Sequence, residues 1–121
     1  MTRRPQNAYS NYHAHVYFDQ RTLGAAQRLC RHAGELFGVA VGRVHQQLVG
    51  PHPRWSCQLA FHAEQFDELI AWLDQNRDGL SVLVHACTGN DLEDHTVHAS
   101  WLGEPVELNL AFFASGDDAG R

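Results

Sequence analysis

Three features of this 121-residue chain predict an α+β fold built on an antiparallel sheet. Tyr12–Phe18 alternates polar and apolar side chains and Leu80–Cys87 is a short β-rich run, the two signatures of strands. Two stretches, beginning at Leu23 and at Phe66, repeat their apolar residues at helical spacing instead. Short turn signals join these segments, without a repeat, a long linker or a low-complexity block, so residues 11–113 are read as one domain.

Taken in order, residues 1–10 have no period and are expected to be a loose N-terminus. The first strand carries Tyr12, Ala14, Val16 and Phe18 on one side and His13, His15 and Tyr17 on the other. A helix follows with its apolar stripe at positions 23, 26, 29, 30, 33 and 37, Thr22 as N-cap and Gly38 as the left-handed stop. Val39–Leu48 reads as the second strand, although its valines do not settle on one face. The turn Gly50-Pro-His-Pro53 leads to a third strand, Trp55–His62. Phe66, Leu69, Ile70 and Leu73 mark the second helix, which Gly79 closes, and Leu80–Cys87 is the fourth strand. Asn90 with Glu93 three residues later resembles a capping box, so 91–102 is expected to be a short third helix, bounded by Gly103 and Pro105. Residues 106–113 are expected to add a short strand, and 114–121 a frayed tail. The order β-α-β-β-α-β is that of the split βαβ, or ferredoxin-like, plait with a short extra C-terminal helix and strand. Both helices then cover one face of the sheet, against Ala14, Val16, Phe18, Val82, Val84 and Ala86. His13, His15 and His85 must project from the other face, with the first and fourth strands side by side.

Composition excludes several classes of function. Hydrophobic residues at 44% and charged residues at 19% are a globular balance. A net charge of −5, without a single lysine or a basic run, argues against nucleic-acid binding. No apolar run reaches the roughly 20 residues of a membrane helix, and no apolar segment follows the basic start, so a cytoplasmic protein is expected. Cys30, Cys57 and Cys87 are odd in number and widely spaced, which reads as reduced, mostly buried thiols. There is no Gly-X-Ser-X-Gly elbow and no Gly-rich phosphate loop.

Nine histidines are the informative number. Histidine is the commonest metal ligand and titrates nearest physiological pH. His13 and His15 stand two apart on a strand, roughly 6.6 Å from each other on one face, and can converge on one cation. His85 joins them if the strands pair as the plait requires. His52 is stiffened by a proline on each side, and loops held this way often carry functional side chains. His95 and His98 would share a helical face, in a pocket or at a subunit contact, with Glu93 and Asp94 able to supply a carboxylate. His32 and His62 read as surface or cap residues, and His45 as a supporting group. Trp55 and Trp72 read as packing residues, while Trp101 can wall a pocket.

Four segments together resemble the DOPA 4,5-dioxygenase family: Tyr12-His-Ala-His-Val-Tyr-Phe18, Gly50-Pro-His-Pro53, Val82-Leu-Val-His85 and Thr88–Pro105. The resemblance covers about residues 9 to 110, in the right order. It departs at Ala86, where proline is usual, and at Val97, where aspartate is usual, and neither change removes a histidine. It implies a ferredoxin-like plait, a histidine-bound non-haem iron, and extradiol cleavage of a catechol by O2. Neutral imidazoles suit Fe(II), with Zn(II) or another divalent metal as the alternative. The expected substrate is DOPA or a related small catechol. The alternatives are a non-catalytic small-molecule-binding or dimerisation module, and a zinc-dependent hydrolase or isomerase.

The expected metal ligands are His15, His52 and His85: two from adjacent strands on one face, and one from a rigid turn that can reach over it. His13, His95 and His98 are expected to handle protons, with His13 able to replace a ligand. Tyr17, His45 and Trp101 are expected to contact substrate. The open sheet face of so small a plait predicts a homodimer.

Overall fold

The computed structural model describes residues 4–114; expectations for residues 1–3 and 115–121 lie outside the described residues. Its elements are β1 (Asn11–Phe18), α1 (Leu23–Phe37), β2 (Ala40–His45), β3 (Trp55–His62), α2 (Ala63–Asn76), β4 (Val82–Ala86), α3 (Asp91–Asp94), β5 (Ala99–Leu102) and α4 (Ala111–Ala114). The five strands form one antiparallel sheet in the order β2-β3-β1-β4-β5. The first four give the ferredoxin-like order, and β5 adds an edge beside β4.

Alternation along β1 divides the sheet into two chemically different faces. Ala14, Val16 and Phe18 join Val82, Val84 and Ala86 of β4 in the core beneath the helices. Helix α1 contributes Ala26, Leu29, Cys30 and Ala33, and α2 contributes Phe66, Leu69, Ile70 and Leu73. These are the apolar stripes expected from their spacing. Gly38 ends α1 at φ 70°, its N–H donating to the Gly34 carbonyl at 2.9 Å. Thr22 begins α1 but does not cap it, because its hydroxyl is taken up by Asp19 Oδ1 at 2.9 Å. His62 caps α2 instead, in a reciprocal box with Gln65.

Strand β2 shows why its valines fit no single alternation. Val41 pairs with Leu59 and Val44 with Cys57, which leaves two residues, Gly42 and Arg43, against Gln58 alone, so the register shifts between them. This is a β-bulge, and both valines keep the side shared with Leu59 and Cys57. Gly42 sits inside it, where an added Cβ would stand 3.3 Å from the Gln58 carbonyl oxygen.

Two expectations are corrected near the C-terminus. The helix expected over 91–102 stops at Asp94, and 99–102 is a strand paired with β4. Ser100 and Leu102 bury themselves alternately with Ala99 and Trp101, a two-residue period that a sequence window dominated by the Asn90 cap concealed. Residues 106–110 form no strand, and 111–114 are a helical turn. Residues 4–10 carry no helix or strand, yet they are tied down. Tyr12 Oη accepts from the Ala8 and Tyr9 amides at 2.7 and 2.6 Å and donates to Asn7 Oδ1, while Arg4 pairs with Asp74.

Candidate metal centre

The register of β1 against β4 sets His13 directly opposite His85, and His15 opposite Leu83. His13, His15, Tyr17, Leu83 and His85 therefore share the face away from the helices. The same alternation adds Ser56 and Gln58 of β3, His45 of β2 and Trp101 of β5. Two loop elements close over this face. The Gly50–Pro53 turn brings in His52, and the end of α3 brings in His95. His15, His52 and His85 are buried, and His13 and His95 half-buried.

These five rings form one cluster. His15 Nε2 lies 3.0 Å from His85 Nε2. The ring of His52 is centred 4.2 Å from that of His15, and the ring of His95 4.2 Å from that of His85. Two trios have ligand nitrogens within 4.8 Å of one another: His13, His15 and His85, and His15, His52 and His95. The expected ligands His15, His52 and His85 all lie in the cluster but are divided between these trios, and His15 belongs to both.

Hydrogen bonds fix which nitrogens face inward. His85 Nδ1 lies 2.8 Å from the Ala86 carbonyl oxygen, and His95 Nδ1 lies 2.7 Å from that of Asp91. A carbonyl only accepts, so each Nδ1 carries the proton and each neutral ring keeps a lone pair on Nε2. Metal-binding histidines are oriented in this way by a backbone partner. Burial holds the rings neutral. It pushes His15 well below the ordinary histidine range, with His52 and His85 adding to the effect. It takes His52 down to about 4 and His85 down to about 3, with His95 contributing to both. His13 is lowered as well, first by burial and then by His95, against the opposing pull of Asp94 and Asp91. A set of neutral, inward-pointing imidazole nitrogens suits a divalent transition metal.

The remaining expected residues divide clearly. Tyr17 is fully buried, and its hydroxyl lies 2.7 Å from His52 Nδ1, so its polar end supports that histidine. Trp101 flanks Tyr17 with ring centres 5.8 Å apart. His45 lies opposite Ser56 on the histidine side of the sheet. His98 stands apart from the cluster, its Nδ1 3.2 Å from the Tyr9 hydroxyl, because α3 ends before it and the shared helical face with His95 does not exist. His32 is exposed, and His62 is a cap. The cysteines are free, with Cys30 and Cys57 buried. Burial raises the Cys87 thiol to about 11, which leaves it a poor nucleophile.

Sequence reasoning missed Phe113, whose ring covers His95 at 5.1 Å. No periodicity marks it, because residues 103–110 run from β5 to the Gly50–Pro53 turn as an irregular strap. That strap is fastened to the turn by the Asn109 amide donating to the Pro51 carbonyl at 2.8 Å. Removing the Tyr17 hydroxyl tests the support of His52. Tyr17→Phe should cost about 1–3 kcal/mol in urea unfolding, because a buried ring nitrogen loses its partner. A variant as stable as the parent would mean that water reaches His52.

An antiparallel plait with a buried cluster of imidazoles on the face away from α1 and α2 defines a class of small α+β proteins whose histidines could hold a metal ion. The model of the Dopa 4,5-dioxygenase family matches residues 12–112, and the chain belongs to that family. Over 109 residues it is 33% identical to a DOPA 4,5-dioxygenase of Amanita muscaria, covering 83% of this chain and 48% of that protein. It is 32% identical to an uncharacterized 21.2 kDa protein of Botryotinia fuckeliana, covering 83% of this chain and 61% of the other. The chain thus spans about half to three-fifths of the length of these relatives. A crystal structure from Nostoc punctiforme, of a protein provisionally described as a dioxygenase, superposes with a TM-score of 0.84 at 42% identity. That match covers 88% of this chain and 92% of the other. Among the described residues no helix is long and apolar enough to cross a membrane.

Proposed function

We propose that the chain is a metal-dependent extradiol dioxygenase that opens the ring of a small catechol with O2. The observation that carries this reading is the buried imidazole cluster with the Nε2 lone pairs of His85 and His95 fixed by backbone carbonyls, in a chain of the Dopa 4,5-dioxygenase family. His13, His15 and His85 would hold the metal, because paired central strands make the more rigid trio. Fe(II) is the metal this chemistry calls for, and when bound it draws charge from the catechol oxygens and brings them together with O2. The chain's own residues do the rest. His95 accepts a catechol proton at Nε2, while the Asp91 carbonyl keeps the proton on Nδ1. His52, neutral and held by Tyr17, is a second acceptor on the same side of the cluster. Trp101 and Phe113 offer flat apolar surfaces to an aromatic ring. The same reading includes a homodimer, supported by the exposure of Leu110 at the end of the strap. Light scattering that gives a monomer at micromolar concentration would remove it.

The decisive experiment loads untagged protein with Fe(II) anaerobically and presents a panel of catechols, including DOPA, in an oxygen electrode. Oxygen uptake should accompany a yellow ring-opened product, and Zn(II)-loaded protein should be inactive. Metal-loaded protein that consumes no oxygen with any catechol would leave a binding module, and activity with Zn(II) alone would favour a hydrolase or isomerase.

A further inference from the structure

Asp94 is a buried carboxylate, 3% exposed, on the one-turn helix α3. Its Oδ2 accepts from the Thr88 amide at 2.9 Å, and its Oδ1 accepts from the Thr88 hydroxyl at 2.7 Å. Both donors are neutral. Among the described residues no arginine pairs with it, and the chain has no lysine. A buried charge without a counter-charge is costly, and proteins rarely keep one without a partner. The surroundings of Asp94 identify the partner. Thr88 lies three residues beyond His85, and His95 follows Asp94 directly in the chain. Its bonds to Thr88 tie α3 to the chain just beyond β4, and the His85 and His95 rings that β4 and the end of α3 carry are 4.2 Å apart.

We propose that Asp94 is the charge partner of a divalent cation held by the strand trio, a positioning and electrostatic residue that is not itself a ligand. Three neutral imidazoles leave the full positive charge of such a cation uncompensated. A carboxylate set behind the ligands offsets part of that charge without filling a coordination position that catechol and O2 need. Asp94 belongs to neither trio of converging ligand atoms. This inference rests on the reading of the cluster as a metal site.

Asp94→Asn separates charge from shape, since the amide can accept from the Thr88 amide and donate to the Thr88 hydroxyl. Co(II) titration followed by visible absorption reads both affinity and ligand geometry. The expected result is at least a tenfold loss of Co(II) affinity with the same saturated spectrum and the same far-UV circular dichroism as the parent. Affinity within twofold of the parent would overturn the proposal and leave Asp94 as a loop clasp. An altered saturated spectrum would overturn it too, because Asp94 would then act through geometry or coordination. Parent protein that takes up no Co(II) would instead sink the metal reading itself. If Asp94→Asn does not fold, Thr88→Val keeps the carboxylate and removes one of its two bonds. That variant should hold Co(II) within threefold of the parent, and a tenfold loss would overturn the proposal.

Discussion

His15→Ala should abolish uptake of a divalent metal, because His15 belongs to both trios of converging nitrogens. The loss should exceed about 100-fold in affinity, beyond the 10–100-fold typical of changes to groups that only support a ligand. His85→Ala should match it if the strand trio holds the metal, since His85 Nε2 is the nitrogen 3.0 Å from His15. His52→Ala should then retain metal and lose turnover. The reverse pattern, with His52→Ala empty and His85→Ala loaded, would move the site to the turn and α3. Equilibrium dialysis against Co(II) or anaerobic Fe(II) distinguishes the two outcomes. Normal metal content in His15→Ala would remove the cluster as a metal site.

Stability of the metal-free protein should fall steeply between pH 7.5 and pH 5. The unfolded chain protonates its histidines near the ordinary value of about 6.5. The folded protein resists, with His52 down to about 4 and His85 down to about 3. Between these limits the unfolded state binds more protons, so each step down in pH favours unfolding. Above about pH 7.5 both states are neutral at these positions and the dependence vanishes. At pH 5 each of the two rings should remove about 2 kcal/mol. Urea midpoints at the two pH values check this, and His85→Asn should flatten the profile. Equal midpoints in the parent would mean that the rings are hydrated and titrate normally.

The strands and helices that bury a face were legible because burial writes a period into the chain. Tyr12–Phe18 alternates, and the stripes of α1 and α2 repeat at helical spacing, so the plait and the helix-covered face followed from pattern alone. The same alternation sent His13, His15 and His85 to the opposite face. Where burial is partial, the period fails. The bulge in β2 shifts its valines by one residue, and β5 is too short at four residues to outvote the Asn90 cap before it. The strap from 103 to 110 has no period, so nothing in the sequence announced that Phe113 returns to cover His95.

The chain by itself therefore determined the architecture, the two-faced sheet and the presence of a strand-borne histidine pair with a third histidine beside it. Only the tertiary structure decided which histidines meet. His95 joins the cluster and His98 does not, because α3 stops after one turn and its end is pinned by Asp94 to Thr88. It also decided the protonated nitrogens of His85 and His95, through carbonyls whose direction depends on the local turn of the backbone. Periodic burial is encoded by residues near in sequence. Convergence of side chains from β1, β4, a turn and a one-turn helix is set by the packing that brings those elements together, and it leaves no local signature.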